Sequence, residues 1–164
     1  MAHSCIKLSF KLFCAGRQNL VGTIPTEIGY LQYLSELCIR KFVSNRKIMP
    51  SFSSHFLTSL HLIGYIDFGQ NNLVGTIPTQ LGRLIHLEDL YLDENKLSGR
   101  IPSNIGKMKK LNHLWLYGNN LKGSIPSQLF NATELIVLDL GDNRLTGSIS
   151  TSIGQLDKLV DRKW

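Results

Sequence analysis

The sequence has no run of about 18 consecutive apolar residues, which is the length that a membrane-spanning helix requires. We therefore predict no transmembrane helix in this chain of 164 residues. Residues 1–15 superficially resemble a short signal peptide, but Lys11 interrupts their apolar part and the same residues follow the repeat pattern described below. A signal peptide is therefore not evident, and export would depend on sequence outside this chain.

Residue patterns that bind metals or phosphate are also missing. The five histidines lack metal-ligand spacing with each other or with the cysteines; they are His3, His55, His61, His86 and His113. Residues 67–69 spell Asp-Phe-Gly, the magnesium-binding tripeptide of protein kinases, but no glycine-rich phosphate loop and no His-Arg-Asp loop accompany it. We predict no metal, no cofactor and no enzyme activity in this chain.

Cysteine is scarce, with only Cys5, Cys14 and Cys38 in the sequence. Cys14 and Cys38 are 24 residues apart at equivalent positions of the repeat, and they could face each other on adjacent strands. Neighbouring parallel strands offer awkward geometry for a disulfide, which favours two free thiols and leaves the pairing open.

The formal net charge of +6 is spread along the chain and does not form one basic stripe. Short groups such as Lys107, Lys109 and Lys110 are typical of a solvated surface, whereas nucleic-acid binding requires a continuous phosphate-binding patch. We therefore predict no nucleic-acid partner.

What the sequence does contain is a repeat, clearest in residues 84–131. The first copy comprises Leu84, Leu87, Leu90, Leu92, Asn95, Leu97, Gly99, Ile101, Pro102 and Ile105. The second, 24 residues later, comprises Met108, Leu111, Leu114, Leu116, Asn119, Leu121, Gly123, Ile125, Pro126 and Leu129. A fixed period of this length predicts a solenoid whose turns stack on one another.

The spacing has a physical reason at each position. The last two leucines of L-x-x-L-x-L share one face of a short strand, which points into the coil. The following Asn amide can pair with backbone groups at the bend, so that stacked Asn side chains form a ladder. Glycine suits a tight bend or a close approach between turns, and Ile-Pro suits an extended return path.

The unit L-x-x-L-x-L-x-x-N-x-L-x-G-x-I-P-x-x-L/I-G, present at residues 87–106, resembles the plant-type leucine-rich repeat. The resemblance implies an α/β fold. Its architecture would be a right-handed superhelical solenoid with a parallel β-sheet on the concave face and little regular helix. It also implies the usual host proteins: cell-surface receptor-like kinases, receptor-like proteins and secreted inhibitors of microbial enzymes. The Cys-bearing cap with which such ectodomains usually begin is not found in this sequence.

We predict that residues 1–164 form a single array of about six 24-residue repeats that lacks a polar cap at either end. The first repeat is degenerate, and the second begins at Leu31 and then departs from the pattern. Residues 40–59 are expected to form a loop insertion or a disrupted repeat. A last repeat begins at Leu156, and the chain stops at Trp164 before a strand can close. This pattern suggests a fragment of a longer array.

The outward positions of the concave strands are the candidate binding surface, because successive repeats align them in columns. In the regular repeats these positions carry several acids and aromatic rings but no Lys or Arg. The predicted ligand-binding residues are Tyr65, Asp67, Glu88, Asp89, Tyr91, Asp93, His113, Trp115, Tyr117 and Asp139. Aligned carboxylates favour an extended ligand with Lys, Arg or a free amine. The alternative is that these positions are merely polar and that aromatic residues suit strands.

The acids also invite comparison with a hydrolase, since Asp89 and Asp93 should be neighbours. An open concave wall is expected neither to bury these carboxylates nor to separate their pKa values, so catalysis is not predicted.

The function that we predict is recognition of a peptide or protein by part of the ectodomain of a receptor-like kinase, in defence or developmental signalling. The parent protein would lie at the extracellular face of the plasma membrane, with a co-receptor as a further partner. The alternatives are a secreted inhibitor of a microbial cell-wall hydrolase and a truncated product without function. Asn131 begins the only N-x-S/T sequon and is a candidate glycosylation site.

Overall fold

The computed structural model describes residues 12–14, 19, 21–24, 26, 28 and 64–164. Within them lie the strands β1 Leu12–Cys14, β2 Val21–Thr23, β3 Tyr65–Asp67, β4 Asn72–Thr76, β5 Asp89–Tyr91, β6 Lys96–Gly99, β7 His113–Trp115, β8 Asn120–Gly123, β9 Val137–Asp139, β10 Arg144–Leu145 and β11 Asp161–Lys163. Within residues 64–164, 3₁₀ helices span Thr79–Arg83, Ser103–Lys107, Ser127–Asn131 and Thr151–Gln155. The prediction of little regular helix is confirmed for this part of the chain.

The strands form two parallel sheets. The odd-numbered strands make a six-stranded sheet in the order β1-β3-β5-β7-β9-β11, here called the concave sheet. The even-numbered strands make a five-stranded sheet in the order β10-β8-β6-β4-β2, here called the second sheet. Each regular coil therefore contributes one strand to each sheet and then returns through a 3₁₀ helix, as a leucine-rich-repeat solenoid does.

The leucine positions of the repeat form the core. Ile66 pairs with Leu90, Leu90 with Leu114, and Leu114 with Leu138, and all four side chains are fully buried. Each such side chain stabilises the fold by roughly 1.5–3 kcal/mol relative to exposure. Because every coil buries its leucines only against its neighbours, the core is a continuous column along the array.

The predicted asparagine ladder is confirmed. The Asn119 side-chain nitrogen donates to the carbonyl oxygens of Leu116 (3.0 Å) and Tyr117 (3.2 Å) in its own coil, and to that of Leu92 (2.9 Å) in the preceding coil. Its side-chain oxygen accepts a hydrogen bond from the Leu97 amide at 2.9 Å. Asn95 and Asn143 repeat this pattern. The ladder satisfies backbone groups that the bend leaves unpaired.

The predictions for glycine and proline are also confirmed. Gly99 and Gly123 have backbone φ angles of +80° and +81°, which residues with a side chain rarely adopt. Pro102 is extended, with φ −66° and ψ 129°, and it leads into the 3₁₀ helix Ser103–Lys107.

At the C-terminal end, the prediction that no strand closes after Leu156 is wrong. Strand β11 pairs in parallel with β9, with Lys163 opposite Asp139. The strand forms through backbone hydrogen bonds to β9, which do not require a leucine at the inward position.

At the other end, β1 pairs directly with β3 and β2 with β4. The second repeat from Leu31, the irregular segment 40–59, Cys5 and Cys38 lie outside the described residues, so the prediction for the Cys14–Cys38 pair stays a prediction.

Candidate functional site

The concave sheet places the predicted site residues in columns. In β3, β5 and β7 the middle residue is buried, while the first and third residues are half-buried and face away from the core. The first column is Tyr65, Asp89, His113, Val137 and Asp161; the second is Asp67, Tyr91, Trp115, Asp139 and Lys163. Seven of the ten predicted residues therefore lie in these two columns. Of the other three, Asp93 and Tyr117 lie two residues beyond the second column, and Glu88 lies just before β5.

Four aromatic rings form a continuous strip across this sheet. The ring centroids of Tyr65 and Tyr91 lie 5.2 Å apart, those of Tyr91 and Trp115 5.5 Å, and those of Trp115 and Tyr117 6.1 Å. All three contacts are tilted, within the range of favourable aromatic pairs. We call these four residues the aromatic strip. Their rings lie side by side over three successive coils.

Trp115 carries a buried donor at the centre of the strip. Its indole Nε1 has no hydrogen-bond partner among the described residues, a property that it shares there with His86 Nδ1. Burying an indole N–H without an acceptor costs free energy. The contacts that position the Trp115 side chain are therefore its ring contacts with Tyr91 and Tyr117.

Two of the acidic side chains accept hydrogen bonds from backbone amides at the end of their own strand. Asp67 Oδ1 accepts a hydrogen bond from the Gly69 amide at 2.9 Å, and Asp139 Oδ1 accepts one from the Gly141 amide at 3.1 Å. The Asp-Phe-Gly tripeptide at 67–69 is thus part of a strand end, with Phe68 buried in the core. Each of these two carboxylates has a second oxygen, and in Asp139 that Oδ2 lies 3.4 Å from Lys163 Nζ.

Lys163 is the residue of this site that the sequence analysis missed. It extends the second column beside Asp139, and it helps to line a groove of about 530 Å³ with Trp115, Tyr117, Asp139, Gly141, Asp142 and Trp164. The signal that could have found it is the period itself, since position 163 is one period beyond 139. The acidic part of the sheet therefore has a basic residue at its C-terminal edge.

Two further polar pairs join neighbouring coils. His113 Nδ1 and Asp89 Oδ1 are hydrogen-bond partners that join β7 to β5. The Tyr117 hydroxyl donates to Glu94 Oε1 at 3.0 Å. Burial and this bond to Glu94 raise the pKa of Tyr117 to about 12, so it stays a donor at neutral pH. Burial, followed by the charges of Asp89, Asp67 and Asp93, also raises the pKa of Tyr91.

Asp93 corrects the expectation that nothing on this wall buries a carboxylate. It is only 5% exposed, and a Cβ atom added to Gly69 would lie 2.7 Å from its Oδ1. The carboxylate thus packs against the backbone of Gly69 in the preceding coil, where the absence of a side chain leaves room for it. Burial raises the pKa of Asp93 above 3.8, the charges of Asp67 and Glu94 add to the shift, and a backbone hydrogen bond opposes it.

Asp93 is therefore expected to make stability depend on pH. Its folded-state pKa lies above its unfolded value, so its contribution is most favourable below about pH 3.8 and is lost as pH rises through the raised pKa. We expect Asp93→Asn, which stays neutral, to unfold at a higher urea concentration than wild type at neutral pH, with the difference shrinking in acid. Asp157→Asn, at an exposed position, is the matched control and should show no such trend. Parallel profiles for wild type and Asp93→Asn would contradict this account.

The described residues contain no helix that is long and apolar enough to cross a membrane. In the same part of the chain, no group of three or more His, Cys, Asp or Glu side chains is arranged to hold a metal ion.

The fold and the repeat together identify the class of this protein. Residues 86–108, 110–132 and 134–156 each match the family described as Leucine Rich Repeat. Residues 86–156 therefore consist of leucine-rich repeats. This array is similar to part of the ectodomains of plant receptor kinases. No curated protein sequence matches the chain significantly.

Three solved structures illustrate the similarity. The ectodomain of the Arabidopsis receptor kinase HAESA, in complex with an N-terminally extended IDA peptide hormone, is 33% identical with a TM-score of 0.70, covering 93% of this chain and 21% of that one. The ectodomain of GASSHO1/SCHENGEN3 from Arabidopsis thaliana, in complex with CASPARIAN STRIP INTEGRITY FACTOR 2, is 31% identical with a TM-score of 0.66, covering 86% and 13%. The BIR3–SERK2 complex from Arabidopsis thaliana gives 29% identity and a TM-score of 0.65, covering 92% and 66%. The chain thus spans about a fifth or less of the two receptor ectodomains.

Proposed function

We propose that this chain is a non-catalytic recognition segment that binds an extended peptide or protein segment carrying Lys, Arg or a free amine along its concave sheet. The observation that carries this proposal is the aromatic strip, which runs over three coils between the carboxylates of Asp67, Asp89 and Asp139. Exposed Tyr and Trp side chains are frequent anchors of protein interfaces.

The charge distribution supports a cationic ligand. The protein has a formal net charge of +6, yet the concave positions of β3, β5, β7 and β9 contain acids and no Lys or Arg. In contrast, exposed basic side chains lie along the second sheet and its following turns, at Lys96, Arg100, Lys122 and Arg144. A cationic side chain on the aromatic strip would gain both carboxylate attraction and cation–π contact.

The similar structures support a peptide as the ligand. HAESA has been solved in complex with the peptide hormone IDA and the co-receptor SERK1, and RGFR1 is a plant peptide hormone receptor in complex with RGF2. We propose that the chain belongs to the ectodomain of a receptor-like kinase at the extracellular face of the plasma membrane, a location that the similar ectodomains support. A co-receptor would be its second partner, and the signalling role would be in defence or development.

Tyr91 and Trp115 are expected to be the anchors of binding. A display library of random linear peptides selected on the purified chain should be enriched in Lys and Arg. Binding of a selected peptide, measured by biolayer interferometry, should weaken about tenfold or more in Tyr91→Ala and in Trp115→Ala, as truncated aromatic anchors usually show.

Two further variants separate the binding site from the fold. Asp67→Asn keeps an acceptor for the Gly69 amide while removing the negative charge. It should therefore bind the same peptide more weakly, and its affinity should change less with salt concentration than that of wild type. Val74→Ala, at a position 40% exposed on the second sheet, should bind like wild type. Selection of acidic peptides, or equal binding by wild type and both aromatic variants, would refute the proposal.

A further inference from the structure

The sequon at residues 131–133 has the geometry of an acceptor for N-linked sugar. Asn131 ends the 3₁₀ helix Ser127–Asn131, and both Asn131 and Thr133 are exposed. Phe130 and Ala132, the residues on either side of Asn131, are fully buried. These two buried anchors hold the tripeptide so that its Asn and Thr side chains face outward. We propose that Asn131 is N-glycosylated, an inference that rests on the extracellular location proposed above.

Hydrogen bonds hold the backbone of Asn131 and Ala132 in place, whereas the side-chain amide of Asn131 is exposed to solvent. The Ala132 amide donates to the Leu129 carbonyl oxygen at 3.1 Å, and Lys109 Nζ donates to the Asn131 carbonyl oxygen at 2.7 Å. Neither the Asn131 amide nor the Thr133 hydroxyl has a hydrogen-bond partner among the described residues. This distinguishes Asn131 from the ladder residues Asn95 and Asn119, whose amides are fully bonded inside the coil.

The transfer requires a lipid pyrophosphate-linked oligosaccharide as the sugar donor. The Asn131 side-chain nitrogen attacks the anomeric carbon of the first sugar, and a carbon–nitrogen bond forms. The bond from that carbon to the pyrophosphate oxygen breaks, and the lipid pyrophosphate leaves with its electron pair. The amide nitrogen loses one proton. The Thr133 hydroxyl lies on the same exposed tripeptide and supplies the second half of the acceptor motif.

A groove beside Asn131 offers a place for the first sugar. It has a volume of about 400 Å³ and lies between the 3₁₀ helices Ser103–Lys107 and Ser127–Asn131. Hydroxyl, amide and ammonium groups line it, from Ser103, Asn104, Lys107, Lys109 and Gln128. Such groups hydrogen-bond sugar hydroxyls. Because the helices are the third side of each coil, separate from both sheets, a sugar here leaves the aromatic strip open.

The test is a mass measurement on the full chain, produced behind a cleavable secretion signal in insect cells and recovered from both lysate and medium. Molecules from which the signal has been removed should carry an oligosaccharide at residue 131, and peptide N-glycosidase should convert that residue to Asp. Thr133→Ser keeps the sequon and should keep the sugar, whereas Asn131→Gln and Thr133→Ala should lose it. Asn120→Gln, an exposed Asn outside a sequon, should change nothing.

A signal-cleaved chain without sugar at residue 131 would overturn the proposal, and so would a sugar that persists in Asn131→Gln. The groove is tested by amine acetylation, in which the glycosylated chain should label Lys109 several-fold more slowly than the enzyme-trimmed chain, with Lys122 on the second sheet unchanged. Equal labelling of Lys109 in both forms would rule out the groove as the sugar's place. None of these outcomes depends on peptide binding, so this proposal and the proposed function fail separately.

Discussion

Replacing Gly106 with alanine is expected to lower the free energy of unfolding by about 3 kcal/mol, the upper end of the usual overpacking range. A Cβ atom at Gly106 would lie 1.7 Å from the Gln128 carbonyl oxygen and 2.6 Å from the carbon of the same group. The obstructing atoms belong to the backbone of the next coil and cannot rotate away. The two coils must therefore separate, which disturbs the contacts between the 3₁₀ helices Ser103–Lys107 and Ser127–Asn131.

Gly154 provides the matched control for Gly106, because it occupies the same position of the repeat two coils later. It also lies in a 3₁₀ helix, and a Cβ atom there would meet nothing within 4 Å. Gly154→Ala should leave stability unchanged or raise it by up to about 1 kcal/mol, through the lower entropy of the unfolded chain. Urea unfolding followed by circular dichroism compares the two variants. Equal losses would mean that the close approach at Gly106 does not govern stability.

Replacing Asn119 with alanine is expected to cost about 3 kcal/mol or more. The substitution removes four hydrogen bonds at once and leaves the Leu97 amide without the acceptor that it has in the native fold. An unpaired buried backbone group costs about 1–3 kcal/mol, and the carbonyl oxygens of Leu92 and Leu116 lose a donor as well. Because the ladder joins two coils, the thermal transition should also become less cooperative.

Asn120 is the control for this variant, since it is the adjacent asparagine and its side chain is exposed. Asn120→Ala should unfold within about 0.5 kcal/mol of wild type, as surface substitutions usually do. Thermal unfolding by circular dichroism, with size-exclusion chromatography to check for a monomer, distinguishes the two variants. A native-like transition in Asn119→Ala would show that water or a shifted backbone replaces the ladder.

The repeat allowed the core and the ladder to be predicted residue by residue. Leu90 and Leu114 recur at one spacing, and parallel pairing of identical units places equivalent residues side by side. The columns of the concave sheet follow from the same rule, which is why the predicted ligand-binding residues Tyr91 and Trp115 lie side by side. The strand at Asp161–Lys163 was missed because the prediction required leucines at inward positions, whereas backbone pairing with β9 suffices.

The site was less predictable than the fold because its contacts depend on side-chain conformation. A period places Asp93 in a column but does not show that its carboxylate turns onto the bare backbone of Gly69, where burial raises its pKa. Similarly, the period places Asp67 in a column but does not show that one of its carboxylate oxygens accepts a hydrogen bond from the Gly69 amide. The contact between Trp115 and Tyr117 joins residues of one coil that lie two positions apart, which no column shows.

The sequence by itself determined the coil: which residues turn inward, where the chain bends at Asn119, and which side chains share a column. These properties are local and repeat with the period, so one coil predicts the next. Only the tertiary structure decided how deeply each acid is buried, which donors are bonded, and where Gly106 leaves no room for a side chain. Those properties arise between coils, where distances of a few tenths of an ångström separate a favourable contact from an overlap.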